Sequence, residues 1–221
     1  KGMNLFEHVA DTSAIAIRDD RIELSWEVLD DLLSRFANRL QQEALGEQRR
    51  IAVFAENAVE TGMANLGGLL GGASVVPVNF HLTADEAAYI LEDSGTTVLF
   101  VGPETAERGL EAARQAGVGT VIGWRADGAL DWDSWLAEGS PACPDLNLQP
   151  LPNLLYTSGT TGRPKGTELP PTMFAGGGTI REHMNALRES PLAPLGPHLI
   201  VGPMYHTGPL SGARLLVAGT Q

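Results

Sequence analysis

Cysteine is almost missing from this 221-residue chain, with Cys143 standing alone. No internal disulfide framework can form, and no neighbouring His or Cys offers the spacing of a metal site. A reducing, cytoplasmic compartment is the simplest expectation. Basic runs are missing as well. With 15 Lys and Arg against 27 Asp and Glu, and a net charge of −12, the chain lacks the clustered cations that a nucleic-acid backbone or an anionic membrane surface requires. No nucleic-acid partner is expected, and any phosphate must be met by local groups. Long hydrophobic runs are also lacking. The most apolar stretch, residues 67–78, is too short to span a bilayer, and Glu7 and Asp11 stand where a secretory signal needs an apolar core. No transmembrane segment is therefore expected. Internal repeats and low-complexity tracts are absent too.

What is present is enough apolar residue, 43% of the chain, to bury a proper core in one large or two small domains. Ala14 to Arg18 and Arg21 to Leu24 flank an Asp19-Asp20 turn and read as a small hairpin. Ser25 reads as an N-cap. From Trp26 to Leu45, Leu29, Leu32, Leu33, Phe36, Ala37 and Leu40 recur at helical spacing, and Gly46 stands where a helix stop belongs. Short β-rich runs then alternate with helical ones: Ile51 to Ala55, Val59 to Leu70, Ser74 to Val78, Ala84 to Asp93, Thr97 to Val101, Glu104 to Ala116 and Thr120 to Gly123. Thr83 and Glu86 form a capping box. Strands separated by helices of this length imply right-handed crossovers. The expected fold is α/β, with layered, mostly parallel sheets and flanking helices. Residues 139–152, rich in Pro, Asn and Asp, read as a connector. Thr172 to Arg188 is expected to be helical despite the triplet Gly176-Gly177-Gly178, each glycine costing about 1 kcal/mol against alanine. Leu199 to Val201 reads as a buried strand.

The most informative segment is Tyr156-Thr157-Ser158-Gly159-Thr160-Thr161-Gly162-Arg163-Pro164-Lys165-Gly166, preceded by an apolar strand at residues 153–156. Glycines let backbone N–H groups approach an anion closely, the hydroxyls of Thr157, Ser158, Thr160 and Thr161 add donors, and Arg163 and Lys165 add charge. That is chemistry for holding phosphates. By composition alone, a solvent-exposed turn is the better reading, since most such clusters bind nothing. A Walker-type phosphate loop does not fit, because Lys165 lies between Pro164 and Gly166 and no hydroxyl follows it to reach a metal. A second candidate is His206, in Pro203-Met204-Tyr205-His206-Thr207-Gly208. A lone histidine beside an aromatic is more often a packed or surface residue.

The run from Tyr156 to Gly166 resembles, position by position, the signature of the adenylate-forming superfamily of acyl-CoA synthetases, peptide-synthetase adenylation domains and luciferases. With about ten specified positions, a chance match is on the order of 10⁻¹¹ per start point. Pro203 to Gly208 is similar to a segment that follows the phosphate loop in that superfamily. So are Val76 to Asn79, Leu82-Thr83, Glu86, Tyr89 to Leu91 and Asp93 to Gly95, which resemble the acyl-CoA synthetase branch and are expected to be structural.

The resemblance implies one incomplete N-terminal AMP-binding domain over residues 1–221. Within it, 1–138 is an α/β region, 139–152 the connector, and 153–221 the phosphate-loop and substrate-side region. Nothing matches the Tyr-Gly-x-Thr-Glu segment, the ribose-binding aspartate or the C-terminal domain, so a fragment or a truncated relative is expected. It implies an AMP-forming acid–thiol ligase in which ATP activates a carboxylic acid to an acyl-adenylate, with Mg²⁺, before transfer to coenzyme A. Thr157, Ser158, Gly159, Thr160, Thr161, Gly162 and Lys165 would bind the nucleotide. Thr161, Lys165 and His206 are the candidate catalytic residues, and no metal ligand is assigned. Likeness to bacterial fatty-acyl-CoA ligases favours a fatty acid. An amino-acid adenylation domain and a non-catalytic nucleotide-binding module remain open, and self-association of the chain through uncovered apolar surface is a further expectation.

Overall fold

A computed structural model describes residues 2–157, 162–173, 175–191 and 196–219. Its first elements follow from local chemistry. Strands β1 (Ile15–Arg18) and β2 (Glu23–Ser25) pair antiparallel, and Asp19 organises the turn between them by accepting from the Arg21 and Ile22 amides at 2.8 and 2.9 Å. Helix α1 (Trp26–Gln42) starts where expected, with the Ser25 hydroxyl accepting from the Val28 amide. It stops three residues earlier than expected. Glu43 has already turned to extended backbone, so the chain leaves the helix before the left-handed Gly46 rather than at it.

The expected alternation is present. Strand β3 (Arg50–Phe54), helix α2 (Val59–Leu70), strand β4 (Ser74–Val78), helix α3 (Ala84–Asp93), strand β5 (Val98–Val101), helix α4 (Ala106–Ala116) and strand β6 (Thr120–Gly123) follow in order. Short strand β7 (Leu130–Asp131) and helix α5 (Trp132–Ala137), capped by Asp131, complete this part. The five strands form one parallel sheet in the order β4-β3-β5-β6-β7. Pro77 sits in β4, an edge strand, where its missing N–H costs no ladder bond inside the sheet.

Period-two geometry sends alternate strand residues to opposite faces, and here both faces are apolar. Ile51, Val53, Val75, Val98 and Phe100 meet Leu29, Leu33, Phe36, Met63 and Leu66 of α1 and α2 in one core. Ala52, Phe54, Val76, Val78, Leu99 and Val101 meet Ala87, Ile90, Leu91 and Ala112 of α3 and α4 in the other. Each such fully buried large side chain contributes roughly 1.5–3 kcal/mol. Phe36 is the hub of the first core, its ring 5.1 Å from Phe100, 5.2 Å from Trp135 and 5.6 Å from Trp132. Gly67 makes this possible, because a Cβ there would lie 2.3 Å from the Phe36 ring.

The remainder is less regular. Strands β8 (Asn153–Thr157) and β9 (Lys165–Leu169) form an antiparallel hairpin, followed by a 3₁₀ turn (Pro171–Met173), helix α6 (Ile180–Arg188), helix α7 (Thr207–Arg214) and a last 3₁₀ turn (Leu215–Ala218). Two expectations need correction. The helix read over Thr172 to Arg188 begins at Ile180, because Gly177 is left-handed (φ +112°) and a capping box of Thr179 and Glu182 starts the helix after the glycines. Leu199 to Val201 is not a strand. Among the described residues no neighbour offers it a ladder, and Leu199 and Val201 are 81% and 85% exposed.

Candidate functional site

The glycine and hydroxyl segment is the turn of the β8–β9 hairpin. Ser158, Gly159, Thr160 and Thr161 lie outside the described residues; the flanking positions are defined. Thr157 faces Lys165 in register at the base of the turn, followed inward by Tyr156 opposite Gly166 and Leu155 opposite Thr167. Lys165 is thus the first residue of a strand rather than a loop residue, and both it and Thr157 are exposed. Gly162 has φ +97°, a backbone that L side chains rarely adopt, and among the described residues nothing lies within 4 Å of where a Cβ would stand. Lys165 makes no ion pair among the described residues. With Lys1 it is one of only two lysines in the chain. An exposed strand-anchored ammonium beside a glycine turn suits the phosphates of a nucleotide.

The hairpin is fastened at its far end. The buried Arg50 guanidinium, at the start of β3, donates to Ser74 Oγ at 2.6 Å and to Glu168 Oε1 at 2.8 Å, and Ser74 Oγ, at the start of β4, donates to the Pro152 carbonyl at 2.5 Å. Since the open end sits at the amino ends of β3 and β4, the turn points toward their carboxyl ends. That is the side of a parallel sheet where ligands bind. Two further contacts come from α3. Tyr156 Oη donates to Asp93 Oδ2 at 2.6 Å, and Tyr89 Oη donates to the Pro164 carbonyl at 3.2 Å. Burial, reinforced by the bond to Asp93 and its charge, pushes the Tyr156 phenol well above the usual tyrosine range. It stays a donor at any working pH.

The His206 segment reaches the same edge of the sheet by separate anchors. Asn57, just beyond β3, clamps it with both ends of its amide: Nδ2 donates to the Gly202 carbonyl at 2.8 Å and Oδ1 accepts from the Met204 amide at 2.9 Å. Phe80, just beyond β4, meets the Tyr205 ring edge-on at 5.8 Å. His206 then serves as the N-cap position of α7, its carbonyl accepting from the Leu210 amide, with the imidazole exposed and 4.3 Å from the Tyr205 ring. Thr157, Gly162, Lys165 and His206 are all placed on the carboxyl-end side of the sheet. Between the described parts of the hairpin turn and His206 no direct bond is formed.

Beside the Asn57 clamp lies a cavity of about 700 Å³, lined by Ile15, Ile17, Val59, Leu66, Met204 and Leu216 among others. Among the described residues no three His, Cys, Asp or Glu side chains gather closely enough to hold a metal ion. Sequence reasoning missed Asn57, Tyr89 and Asp93 as site-forming residues. The available signals were an Asn directly after a buried strand, and a Tyr and an Asp spaced one helical turn apart behind a capping box.

The likeness to solved structures runs over nearly the whole chain. The MatB structure from Rhodopseudomonas palustris superposes with a TM-score of 0.69 at 25% identity, covering 98% of this chain and 43% of that one. The inhibitor-bound N-terminal domain of FACL13 from Mycobacterium tuberculosis gives 0.66 at 25% identity, covering 89% and 48%. The sequence pattern of the AMP-binding enzyme family matches residues 6–207, and the chain belongs to that family. It is 31% identical over 197 residues to a feruloyl-CoA synthase of Amycolatopsis, covering 89% of this chain and 37% of the relative. It is also 34% identical over 164 residues to a sulfoacetate-CoA ligase of Cupriavidus necator, covering 73% and 31%, and 30% identical over 162 residues to surfactin synthase subunit 1 of Bacillus subtilis, covering 72% and 4%. The chain thus spans about a third of the length of the two ligases. Among the described residues no helix is long and apolar enough to cross a membrane.

Proposed function

We propose that this chain supplies the phosphate-holding part of an adenylate-forming ligase. The supporting observation is the hairpin whose turn points past the carboxyl ends of β3 and β4 with Lys165 and Thr157 paired at its base. In the reaction a substrate carboxylate oxygen attacks the α-phosphorus of ATP, the bond to the bridging oxygen breaks, and pyrophosphate leaves with the electron pair. Charge builds on the leaving oxygens. Donors fixed beforehand by a short turn stabilise that charge more than they stabilise bound ATP, which is what lowers the barrier. Lys165 contributes the positive charge, Thr157 to Gly162 the hydroxyls and amides, and His206 stands on the acid's side.

Transfer of the acyl group to coenzyme A, and a requirement for Mg²⁺, belong to the same reading, as does a cytoplasmic location. Coenzyme A is supported by the names of the two ligases, and the location by the free, exposed Cys143. The apolar cavity beside Met204 favours an acid with an apolar body, such as a fatty acid. Likeness to surfactin synthase supports an amino acid instead. Exchange of labelled pyrophosphate into ATP by a polypeptide carrying the complete AMP-binding region, run across fatty, aryl and amino acids, separates these. Exchange with no acid in the panel would overturn the proposal.

Self-association is proposed alongside. Leu199 and Val201 present exposed apolar side chains on one segment, a surface that favours a partner. Light scattering on the 221-residue chain is expected to show mass rising with concentration, and the double variant L199E/V201E to remain monomeric. A wild-type monomer at every concentration would contradict this.

A further inference from the structure

Helix α3 touches both legs of the hairpin with side chains one helical turn apart. Asp93 receives the hydrogen bond from Tyr156 on the entering strand. Tyr89 holds the leaving leg twice: its hydroxyl donates to the Pro164 carbonyl at 3.2 Å, and its ring lies under the Arg163 guanidinium, 5.2 Å from the centroid. Tyr89 is half-buried, packed against the core between α3 and the sheet. The residue directly after Pro164 is Lys165. Because proline fixes φ and the peptide is planar, a hold on the Pro164 carbonyl sets where the next backbone unit, and with it the Lys165 side chain, begins.

We propose that Tyr89 is a positioning residue for the phosphate turn: it fixes the leg that carries Lys165 and keeps the Arg163 guanidinium stacked on its ring. This rests on the reading of the turn as a phosphate holder. The stack is a surface cation–π contact, weak enough to yield when a phosphate arrives, so Arg163 is stored beside the site as a second cation. Asp93 steadies the other leg through Tyr156. Without these two contacts the turn would still close by β8–β9 pairing, but its donors would be spread over more conformations, and the ordering would have to occur on binding.

The test is calorimetric titration of the 221-residue chain with ATP and with inorganic tripolyphosphate, alongside thermal unfolding followed by circular dichroism. Y89L, which removes both contacts, is expected to weaken tripolyphosphate binding by about tenfold, or about 1.4 kcal/mol. Y89F, which keeps the ring under Arg163 but loses the bond to Pro164, is expected to fall between Y89L and wild type, with its unfolding midpoint unchanged. A graded loss confined to phosphate affinity is what a purely structural role would not give. If Y89L does not fold, Y89F and R163Q carry the test, each expected to lose several-fold in affinity. Wild-type binding with Y89F and R163Q both within twofold of it would overturn the positioning role and leave the phosphate turn standing. A wild type that binds neither ATP nor tripolyphosphate would instead overturn the phosphate turn itself.

Discussion

The five-stranded sheet and the β8–β9 hairpin are built on opposite economies of contact. In the sheet, every residue of β3, β4 and β5 is buried and apolar side chains fill both faces. In β9, every residue from Lys165 to Glu168 is exposed; the hairpin is held by the burial of Leu154 and Leu155 in β8 and by a few polar bonds at known places: Arg50 to Glu168, Ser74 to Pro152, Tyr156 to Asp93 and Tyr89 to Pro164. The lesson is a division of labour. A rigid core fixes the carboxyl edge of the sheet, while a sparsely fastened hairpin offers its backbone and charges to a ligand. Loops on rigid scaffolds carry function for this reason.

The division can be broken most severely at its core. Phe36→Ala removes the ring shared by Phe100, Trp132 and Trp135 and is expected to cost about 3–5 kcal/mol, measured by urea denaturation. A loss under about 1 kcal/mol would mean the aromatic cluster is not the hub described here. Thr161→Ala should do the reverse. In a polypeptide with the complete AMP-binding region it is expected to slow pyrophosphate exchange by about 10² while leaving the denaturation midpoint in place. Exchange within threefold of wild type would refute a role for that hydroxyl.

The smallest effect is on pH dependence, and it sits outside both regions, in α6 and the N-terminal segment. Burial lowers the values of His8 and His183, the latter donating from Nδ1 to the Gly176 carbonyl at 3.0 Å. Lowered values mean that the unfolded chain takes up protons the folded chain refuses. Stability is therefore full above the ordinary histidine value of 6.5 and declines as pH falls below it, until the folded histidines also protonate. Urea midpoints followed from neutral pH downward are expected to show this slope, shallower in His183→Gln. A variant slope equal to wild type would remove His183 from the account.

How much was legible in the sequence follows the same division. Strands β3 to β6 and helices α1 to α4 were readable because apolar spacing sets their burial, and the Thr83 capping box was plain from residue types alone. Strand β9 was not readable. Lys-Gly-Thr-Glu-Leu has no apolar alternation, and its register comes from β8 across the turn. The start of α6 is hidden by a helical pattern that runs back through the glycines, whereas the Thr179–Glu182 box marks the true beginning. Leu199 to Val201 failed in the other direction, since three apolar residues make a strand only where another strand can pair with them. In the site, the turn and His206 were visible as chemistry, whereas Asn57, Tyr89 and Asp93 act through distant partners that no local pattern announces.

If the turn before Lys165 receives the phosphates of ATP, the scarcity of lysine allows that to be measured directly. Lys1 and Lys165 are the only lysines, so acylation of each by an amine-reactive reagent can be followed by mass spectrometry with the other as internal control. ATP is expected to slow modification of Lys165 several-fold and to leave Lys1 unchanged. Equal rates at Lys165 with and without saturating ATP would contradict it.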